Sequence, residues 1–311
     1  MRGLALDRAA THQVRLRDDL TRPEPSGGEV LVRVSHATVN GHEFALAADP
    51  LTRLLAWLRR APGAVRTGLE FAGVVESDGE TFRPGEAVMG YVDMIAGWRP
   101  HAEFVAIPEA YLAPVPAGVS LERASTLPMS GLTALAAVRD LARLGAGRSM
   151  LLLGATGGVG VLAVQIARKL GASVTAVASA RHHAALQRLG ATHTIDYRKT
   201  PVSELEGPFD AVLDFSTTLR MSEVAHLLAP EGVFIPADPI RNLRDVLFSR
   251  RTRWLMVDRG DGPRLRELGQ WVADGDLELV LDEVFPLSDW EQAVERGHAR
   301  GRLGRTVLAF R

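Results

Sequence analysis

A glycine cluster lies between an apolar strand and a helix in the stretch "LLLGATGGVGVLAVQ". Gly157, Gly158 and Gly160 have no Cβ atoms, so the backbone there can turn tightly and approach a phosphate closely. The helix that follows offers free N–H groups and the positive end of its dipole to an anion. The pattern predicts a dinucleotide-binding turn made by Ala155, Thr156, Gly157, Gly158, Val159 and Gly160.

The end of the next strand indicates which dinucleotide binds. A site selective for NAD needs an acid there, about 20 residues further on, to hold the ribose 2′-hydroxyl. The stretch "VASARHH" has Ser179 and Arg181 and no acid. A hydroxyl and a guanidinium suit a 2′-phosphate, which Arg binds through charge-assisted hydrogen bonds. We therefore expect NADP (NADPH) as the cofactor. The alternative is that Arg181 is a solvated residue in the first turn of a helix.

Two kinds of secondary structure must position these residues. The first third of the chain contains short alternating strands such as "EVLVRVSHATVN" and "HAEFVAIP", separated by Gly and Pro, which is typical of a β-barrel. From Met150 onwards, apolar strands alternate with helices, and this order predicts a doubly wound parallel sheet. The last strand, in "GRLGRTVLAF", must pair elsewhere, and the N-terminal β unit is the expected partner.

Composition excludes several classes of protein. A length of 311 residues suits two domains, and a net charge of −1 gives no attraction to nucleic acid or to an anionic membrane. The chain has no cysteine, which excludes disulfides, thiol nucleophiles and thiolate metal sites. No apolar run is long enough to span a bilayer, and the N-terminus has no signal-peptide pattern. We expect a cytoplasmic protein.

The chain resembles the medium-chain dehydrogenase/reductase superfamily, specifically its zinc-free quinone oxidoreductase and enoyl reductase branch. The motifs that carry the resemblance are "GEVLVRVSHATVN", "GLEFAGVV", "ASTLPMSGLTAL", "GATGGVGVLAVQIARKLGA" and "GRLGRTVL", in the order of the family. The resemblance implies a GroES-like β-barrel catalytic domain, residues 1–118 completed by 277–311, and a Rossmann NADP-binding domain, residues 119–276. Substrate and nicotinamide would meet in the cleft between them. It also implies a homodimer that uses the strand "GVFIPA".

Zinc-dependent relatives carry a cysteine ligand where this chain has Asn40 and a histidine ligand where it has Leu69. We therefore expect no metal, and no Lewis acid to polarise a substrate oxygen. An enone, an enoyl thioester or a quinone spreads its own developing charge, so we predict an NADPH-dependent oxidoreductase acting on an activated C=C bond or a quinone. Two alternatives stay open. One is a carbonyl reductase for aldehydes or ketones, and the other is a non-catalytic NADPH-binding sensor or partner protein.

Three residues are candidates for catalysis. The resemblance aims Asn40 at the nicotinamide, although Asn is also a common turn residue. His42 can transfer a proton near neutral pH, or is an exposed loop histidine. Tyr91 lies near the expected cleft and is either a hydrogen-bond donor or a packed aromatic residue. The resemblance gives Glu43 a role in positioning its loop, and Glu70 a structural role at the base of the cleft.

Two further residues are candidates for cofactor contact. Tyr197 matches a position that several NADPH-using relatives place beside the 2′-phosphate. Thr133 lies on the helix where the family often contacts the nicotinamide ribose or phosphate, or it is a helix-cap hydroxyl.

The stretch "PLTRLLAWLRRAPGAVRTG" is rich in arginine and replaces a short Pro-rich loop of many relatives. Residues 51–66 are either a basic lid for a CoA or carrier-protein thioester, or an amphipathic helix with a solvated basic face.

Overall fold

The structure is a computed structural model that describes residues 1–6, 14–40, 43–44, 67–94, 97–238 and 241–310. The strands of the first half are β1 (Gly3–Leu6), β2 (Val14–Arg17), β3 (Glu29–Thr38), β4 (Glu70–Val75), β5 (Ala87–Tyr91), β6 (Phe104–Pro108) and β7 (Leu112–Pro114). The later strands are β8 (Ser149–Leu153), β9 (Ser173–Ala178), β10 (His193–Asp196), β11 (Phe209–Asp214), β12 (Leu228–Pro236), β13 (Leu281–Pro286) and β14 (Arg305–Ala309).

The helices of the described residues are α1 (Leu121–Ala124), α2 (Pro128–Leu135), α3 (Gly158–Lys169), α4 (His183–Leu189), α5 (Met221–Val224), α6 (Leu243–Phe248), α7 (Gly262–Ala273) and α8 (Trp290–His298). The helix α2 continues as a π-helix over Ala136–Leu141. No helix in this part of the chain combines the length and the apolar character needed to cross a bilayer.

The N-terminal β unit is a seven-stranded sheet that includes the last two strands of the chain. Its order is β13-β14-β3-β4-β5-β7, and β6 pairs with β3. The strand β14 runs antiparallel to β3, with Val307 opposite Thr38. Alternate residues of β3, such as Val30, Val32 and Val34, are at most 1% exposed and fill the core of this unit. The C-terminal strands therefore complete the N-terminal sheet, as the sequence predicts.

The second sheet has five parallel strands in the order β10-β9-β8-β11-β12. Met150, Leu151 and Leu152 of β8 are fully buried because helices cover both faces of the sheet, and burial of each such side chain stabilises the fold by ~1.5–3 kcal/mol. Strand order reverses between β8 and β11, and such a reversal opens a crevice at the carboxyl ends of the strands. The predicted fold class, a GroES-like β unit with a parallel Rossmann sheet, is confirmed. The exact domain boundaries stay a prediction.

The outer edge of β12, the strand of "GVFIPA", is paired with another segment of the same chain. The segment after α6 returns to β12, where Phe234 N donates to the Arg251 carbonyl at 2.7 Å and Arg253 N donates to the Phe234 carbonyl at 2.9 Å. The chain's own residues 251–253 thus bind the outer edge of β12. A dimer that pairs strands here would have to use this added segment, and the homodimer stays a prediction.

Candidate functional site

The glycine cluster forms the predicted turn between β8 and α3. Gly154 has φ +74°, a conformation that favours glycine. A Cβ atom at Gly160 would collide with the Gly154 carbonyl oxygen, so only glycine fits there. Gly157 is the N-cap of α3 and has no side chain to bond the first N–H groups of the helix. The turn therefore presents unpaired donors and the positive helix end, which fits the phosphates of a dinucleotide.

Arg305, at the start of β14, lies across this turn. A Cβ atom at Gly158 would collide with the Arg305 guanidinium, and Arg305 Nε donates to Ser130 Oγ at 2.8 Å. The backbone joins the same elements, since Gly304 N donates to the Thr156 carbonyl at 2.9 Å. The sequence motifs did not identify Arg305 as a candidate site residue. The feature that could have identified it is the position of a basic residue directly after Gly304 in "GRLGRTVL".

Glu70 is the buried counter-charge of Arg305. Its Oε1 lies 3.4 Å from Arg305 Nε and accepts hydrogen bonds from Thr38 Oγ1 at 2.8 Å and Ser130 Oγ at 3.0 Å. Its Oε2 accepts from Met129 N at 2.8 Å. Burial raises the pKa of the Glu70 carboxyl, and Arg305 opposes that shift. Glu70 thereby ties β3 and β4 to the start of α2, at the base of the crevice.

Glu43 bridges the two positions where zinc-dependent relatives have ligands. Its Oε1 accepts from Asn40 N at 2.8 Å, and its Oε2 accepts from Gly68 N at 3.2 Å. Leu69, next to Gly68, packs against the cores of both units. Burial raises the pKa of the Glu43 carboxyl to about 7. The carboxylate thus holds the backbone together at this place, and Leu69 contributes an apolar side chain.

Asn40 is 7% exposed, and its backbone closes the turn with Glu43 as a turn residue would. Its Nδ2 makes a long 3.4 Å contact with Thr38 Oγ1. His101 lies behind this turn, with Nε2 2.9 Å from the Thr38 carbonyl and 3.7 Å from Glu43 Oε1. Burial lowers the pKa of His101 to about 4, so the ring is neutral at pH 7. Sequence reasoning did not identify His101 because its partners lie far away in the chain.

The structure favours the packed-aromatic role for Tyr91. The side chain is 1% exposed, and its hydroxyl donates to the Val257 carbonyl at 2.6 Å. Burial raises the pKa of the phenol above its ordinary value. In this structure the phenol donates its hydrogen bond to the backbone, and a catalytic role of Tyr91 stays a prediction. His42 and the arginine-rich residues 51–66 lie outside the described residues.

The residues expected at the adenosine end follow two neighbouring strands. Ser179 directly follows β9 and is 3% exposed, and Tyr197 directly follows β10 and is 42% exposed. The Arg181 guanidinium donates to the Gly301 carbonyl, and His182 Nε2 lies 3.0 Å from the same oxygen. Arg181 is therefore more than a solvated first-turn residue, because it ties the end of β9 to the loop before β14.

Thr133 lies in the middle of α2 rather than at a helix cap, and its Oγ1 is 3.7 Å from Met129 Sδ.

Within the described residues, no three His, Asp or Glu side chains are grouped in a way that would hold a metal ion.

The loop after β11 is built around a buried acid. Asp214 Oδ1 accepts from Ser216 N at 2.9 Å, and Oδ2 accepts from Thr218 N at 3.0 Å and Leu219 N at 2.8 Å. This loop packs so closely on Gly154 that a Cβ there would lie 2.8 Å from Phe215 C. The stretch "LDFSTT" thus closes one side of the crevice beside the glycine turn.

Two family profiles match the chain. Residues 26–117 match the alcohol dehydrogenase GroES-like domain, and residues 189–308 match the zinc-binding dehydrogenase family.

Whole-chain relatives agree with these profiles. The chain is 28% identical over 338 residues to the trans-enoyl reductase pgmF of Aspergillus terreus, covering 94% of this chain and 92% of that protein. It is 29% identical over 304 residues to the chloroplastic quinone-oxidoreductase QR1 of Triphysaria versicolor, covering 90% of each chain. The structure of the quinone oxidoreductase from Coxiella burnetii superposes with a TM-score of 0.84 at 25% identity, covering 100% of this chain and 99% of the other.

Proposed function

The chain belongs to the medium-chain dehydrogenase/reductase superfamily, in its quinone oxidoreductase and enoyl reductase-like branch, and we propose that it reduces an activated C=C bond or a quinone with NADPH and without zinc. That the chain is an oxidoreductase using a nicotinamide cofactor follows from its relatives. The choice of NADPH, the substrate class and the absence of zinc are the proposal.

The observation that carries the proposal is the apolar side chain of Leu69 at the place where zinc-dependent members carry a histidine ligand. Leu69 has no ligand atom, and both oxygens of Glu43 already accept backbone N–H groups. A carbonyl oxygen that became an alkoxide here would have no cation to stabilise it. A conjugated enone, an enoyl thioester or a quinone carries the charge over several atoms instead, so that hydrogen bonds are enough to stabilise it.

The described residues fit the expected cofactor. The open N-terminus of α3 and the Arg305 side chain both border the glycine turn, and they would hold the pyrophosphate of a bound cofactor. Ser179 and Arg181 follow β9 with no acid between them, which supports a 2′-phosphate over a free 2′-hydroxyl. A bound nicotinamide supplies the hydride.

The side chains near the glycine turn would bind and orient the cofactor and the substrate. Among the described residues, Asn40 Nδ2 has only the long contact to Thr38 Oγ1, so it can turn to donate to a substrate oxygen or to the cofactor at little cost. Phe215 and Leu69 are partly buried and pack against the large core, so they would help to exclude water from a bound substrate. Exclusion of water strengthens each hydrogen bond made to a developing enolate.

A substrate panel tests the proposal. Purified protein is mixed with NADPH and, in turn, with an enone, an enoyl-CoA, a quinone, an aldehyde and a ketone, and cofactor oxidation is followed by absorbance. We expect oxidation with at least one of the first three, unchanged after treatment with a zinc chelator. Turnover of the aldehyde or ketone alone would support carbonyl reduction, and binding of NADPH without any turnover would support a sensor. Loss of activity on chelation would contradict the zinc-free mechanism.

A further inference from the structure

A basic apolar patch, residues 241–256, contains α6 and the segment that returns to β12. Seven large apolar side chains are exposed among the described residues, and five of them lie in this patch. These five are Leu243, Leu247, Phe248, Trp254 and Met256. Phe248 is 84% exposed and Leu247 is 64% exposed, so both protrude from the end of α6. Apolar side chains grouped in this way mark a surface that contacts a partner or a membrane.

The same patch carries a surplus of positive charge. Its arginines are Arg241, Arg244, Arg250, Arg251 and Arg253, and its acid is Asp245. Five arginines against one acid give these residues a net charge of +4, whereas the whole chain has a net charge of −1. No ion pair joins these arginines to an acid in the part of the chain that the structure describes. The nearly neutral total therefore does not reveal this local region, which attracts anions.

The basic apolar patch lies along one side of the crevice. Near its start, Asn242 Nδ2 donates to the Leu219 carbonyl at 3.3 Å, in the loop that follows β11. Directly after its end, the Val257 carbonyl accepts a hydrogen bond from the Tyr91 hydroxyl at the end of β5. The strand β11 belongs to the parallel sheet and β5 belongs to the N-terminal sheet. The patch is therefore anchored to both sheets, on either side of the crevice.

We propose that the basic apolar patch binds the surface of an anionic membrane. Its apolar side chains enter the region between headgroups and acyl chains, and its arginines contact the lipid phosphates. Exposed Leu, Phe and Trp side chains next to arginines are typical of segments that lie in the interface of a bilayer. A fluid interface accommodates the protruding Phe248 side chain without a preformed groove. The arginines are attracted to the negative leaflet and form charge-assisted hydrogen bonds with its phosphates.

Two other partners fit the basic apolar patch less well. A second copy of the chain would bring two patches of charge +4 together, because a two-fold interface pairs the same surface of both subunits. An acidic protein would match the arginines, but it would need a groove that receives the protruding Leu247 and Phe248 side chains.

The position of the patch also indicates a substrate class for the proposed reaction. A lipid-soluble quinone or enone dissolves among the acyl chains of a bilayer, and a protein docked through this patch has one side of its crevice at that bilayer. This consequence rests on the proposed function, whereas membrane binding itself needs neither cofactor nor substrate.

Sedimentation with lipid vesicles tests the binding. The full chain is mixed with vesicles of phosphatidylcholine alone and with vesicles that also contain phosphatidylserine. We expect binding to the anionic vesicles, little binding to the neutral ones, and weaker binding as the salt concentration rises. Equal binding to both kinds of vesicle, or no binding to either, would overturn the inference.

Two double variants test the two components of the patch. For Arg244→Gln/Arg250→Gln we expect the partition coefficient for anionic vesicles to fall about 10-fold or more, because two cations are lost. For Leu247→Ser/Phe248→Ser we expect a fall of about 10-fold or more, because the inserted apolar area is lost.

Matched controls lie outside the patch. Arg143→Gln/Arg266→Gln removes two exposed arginines, and Leu16→Ser removes an exposed apolar side chain on β2. These variants should bind anionic vesicles as the wild type does, and all variants should keep the wild-type melting temperature because the replaced side chains are exposed. Patch variants that bind as tightly as the controls would show that the patch is not the membrane contact.

Light scattering distinguishes a membrane from a second copy. If the wild type does not bind anionic vesicles and is a dimer that Leu247→Ser/Phe248→Ser converts to a monomer, the patch is an interface between copies and the inference is wrong. If the wild type binds neither vesicles nor a second copy through the patch, the inference is equally wrong, and an acidic protein becomes the candidate partner.

Failure of the inference and failure of the proposed function give different results. A protein that binds anionic vesicles through the patch but oxidises NADPH with no enone, enoyl thioester or quinone would contradict the proposed function alone. A protein that reduces a soluble quinone or enone but ignores anionic vesicles would contradict the membrane inference alone.

Discussion

Arg305 Nε lies 3.4 Å from Glu70 Oε1, and both side chains are at most 7% exposed. This contact joins the last strand of the chain to β4, and through Ser130 it reaches the start of α2. The guanidinium also lies against the glycine turn. One buried ion pair therefore connects the strand that directly follows Leu69 with the turn that fits the cofactor.

Removing one partner of this ion pair should lower the stability of the protein. We expect Arg305→Met to lower the free energy of unfolding by ~3–5 kcal/mol, because Glu70 then keeps a buried charge without its cation. Urea denaturation measures the loss. The double variant Arg305→Met/Glu70→Gln should lose less than the sum of the two single variants, and additive losses would argue against a direct interaction.

The glycine turn offers a matched pair of substitutions. Gly160→Ala places a Cβ against the Gly154 carbonyl, so we expect loss of NADPH binding and a destabilisation of ~2 kcal/mol or more. Gly157→Ala is the control, because its Cβ would lie 3.5 Å from the same carbonyl, an ordinary contact, and its φ of −70° suits any residue. Equal effects of the two substitutions on binding would contradict this account of the turn.

The Arg181 side chain should decide between the two nicotinamide cofactors. For Arg181→Met we expect Kd for NADPH to rise about 10-fold or more, with much less change for NADH, since only NADPH carries the 2′-phosphate. Loss of the contact with Gly301 would change the binding of both cofactors equally. The ratio of the Kd for NADPH to the Kd for NADH therefore reports the contribution of the 2′-phosphate alone. A wild-type protein with no preference for NADPH would contradict the assignment of Ser179 and Arg181.

Glu43 and His101 should give opposite pH dependences of stability. The pKa of Glu43 is raised from 4.5 to about 7, so the native state holds the extra proton and stability falls as pH rises from about 4.5 to about 7. The pKa of His101 is lowered from 6.5 to about 4, so the unfolded state holds the extra proton and stability rises from about pH 4 to about 6.5. In the wild type the two slopes largely cancel.

Single substitutions should reveal each slope. In His101→Gln we expect the free energy of unfolding to fall with pH, by at most ~1.4 kcal/mol per pH unit, and in Glu43→Gln we expect it to rise. Urea titrations at several pH values measure both. If both variants had the same pH profile of stability as the wild type, the pKa values of Glu43 and His101 would not be shifted in the directions that their burial predicts.

Tyr91→Phe separates a packed aromatic residue from a proton donor. The Val257 carbonyl would lose its 2.6 Å hydrogen bond, and we expect a destabilisation of ~1–2 kcal/mol with kcat unchanged. A fall in kcat of ten-fold or more, in a variant that remains folded, would return Tyr91 to the catalytic candidates.

The part of the site that could be predicted from sequence is the part formed by neighbours in the chain. The glycine turn was recognisable because residues 154–160 act together within one βα connection, and Ser179 because it directly follows a strand. Arg305 reaches Ser130 across 175 positions, and His101 reaches Thr38 across 63 positions. These contacts depend on how β3, α2 and β14 assemble, and residue spacing does not encode that assembly.

The same reasoning explains the outcome for Tyr91. A tyrosine at the end of a strand near the expected cleft gives the same sequence signal whether its hydroxyl meets a substrate or the Val257 carbonyl, which is 166 positions away. Only the path of the segment after α6 decides between them.

The central claim is the proposed hydride transfer from NADPH to the β-carbon of an activated alkene, at a site whose described residues include no group of three metal ligands. Its most direct test uses chelator-treated protein, an enone and NADPH deuterated at C4 of the nicotinamide, with mass spectrometry and NMR of the product. We predict a saturated ketone with one deuterium on the β-carbon. Deuterium on the carbonyl carbon of an allylic alcohol, or transfer that returns only when zinc is added, would contradict the account.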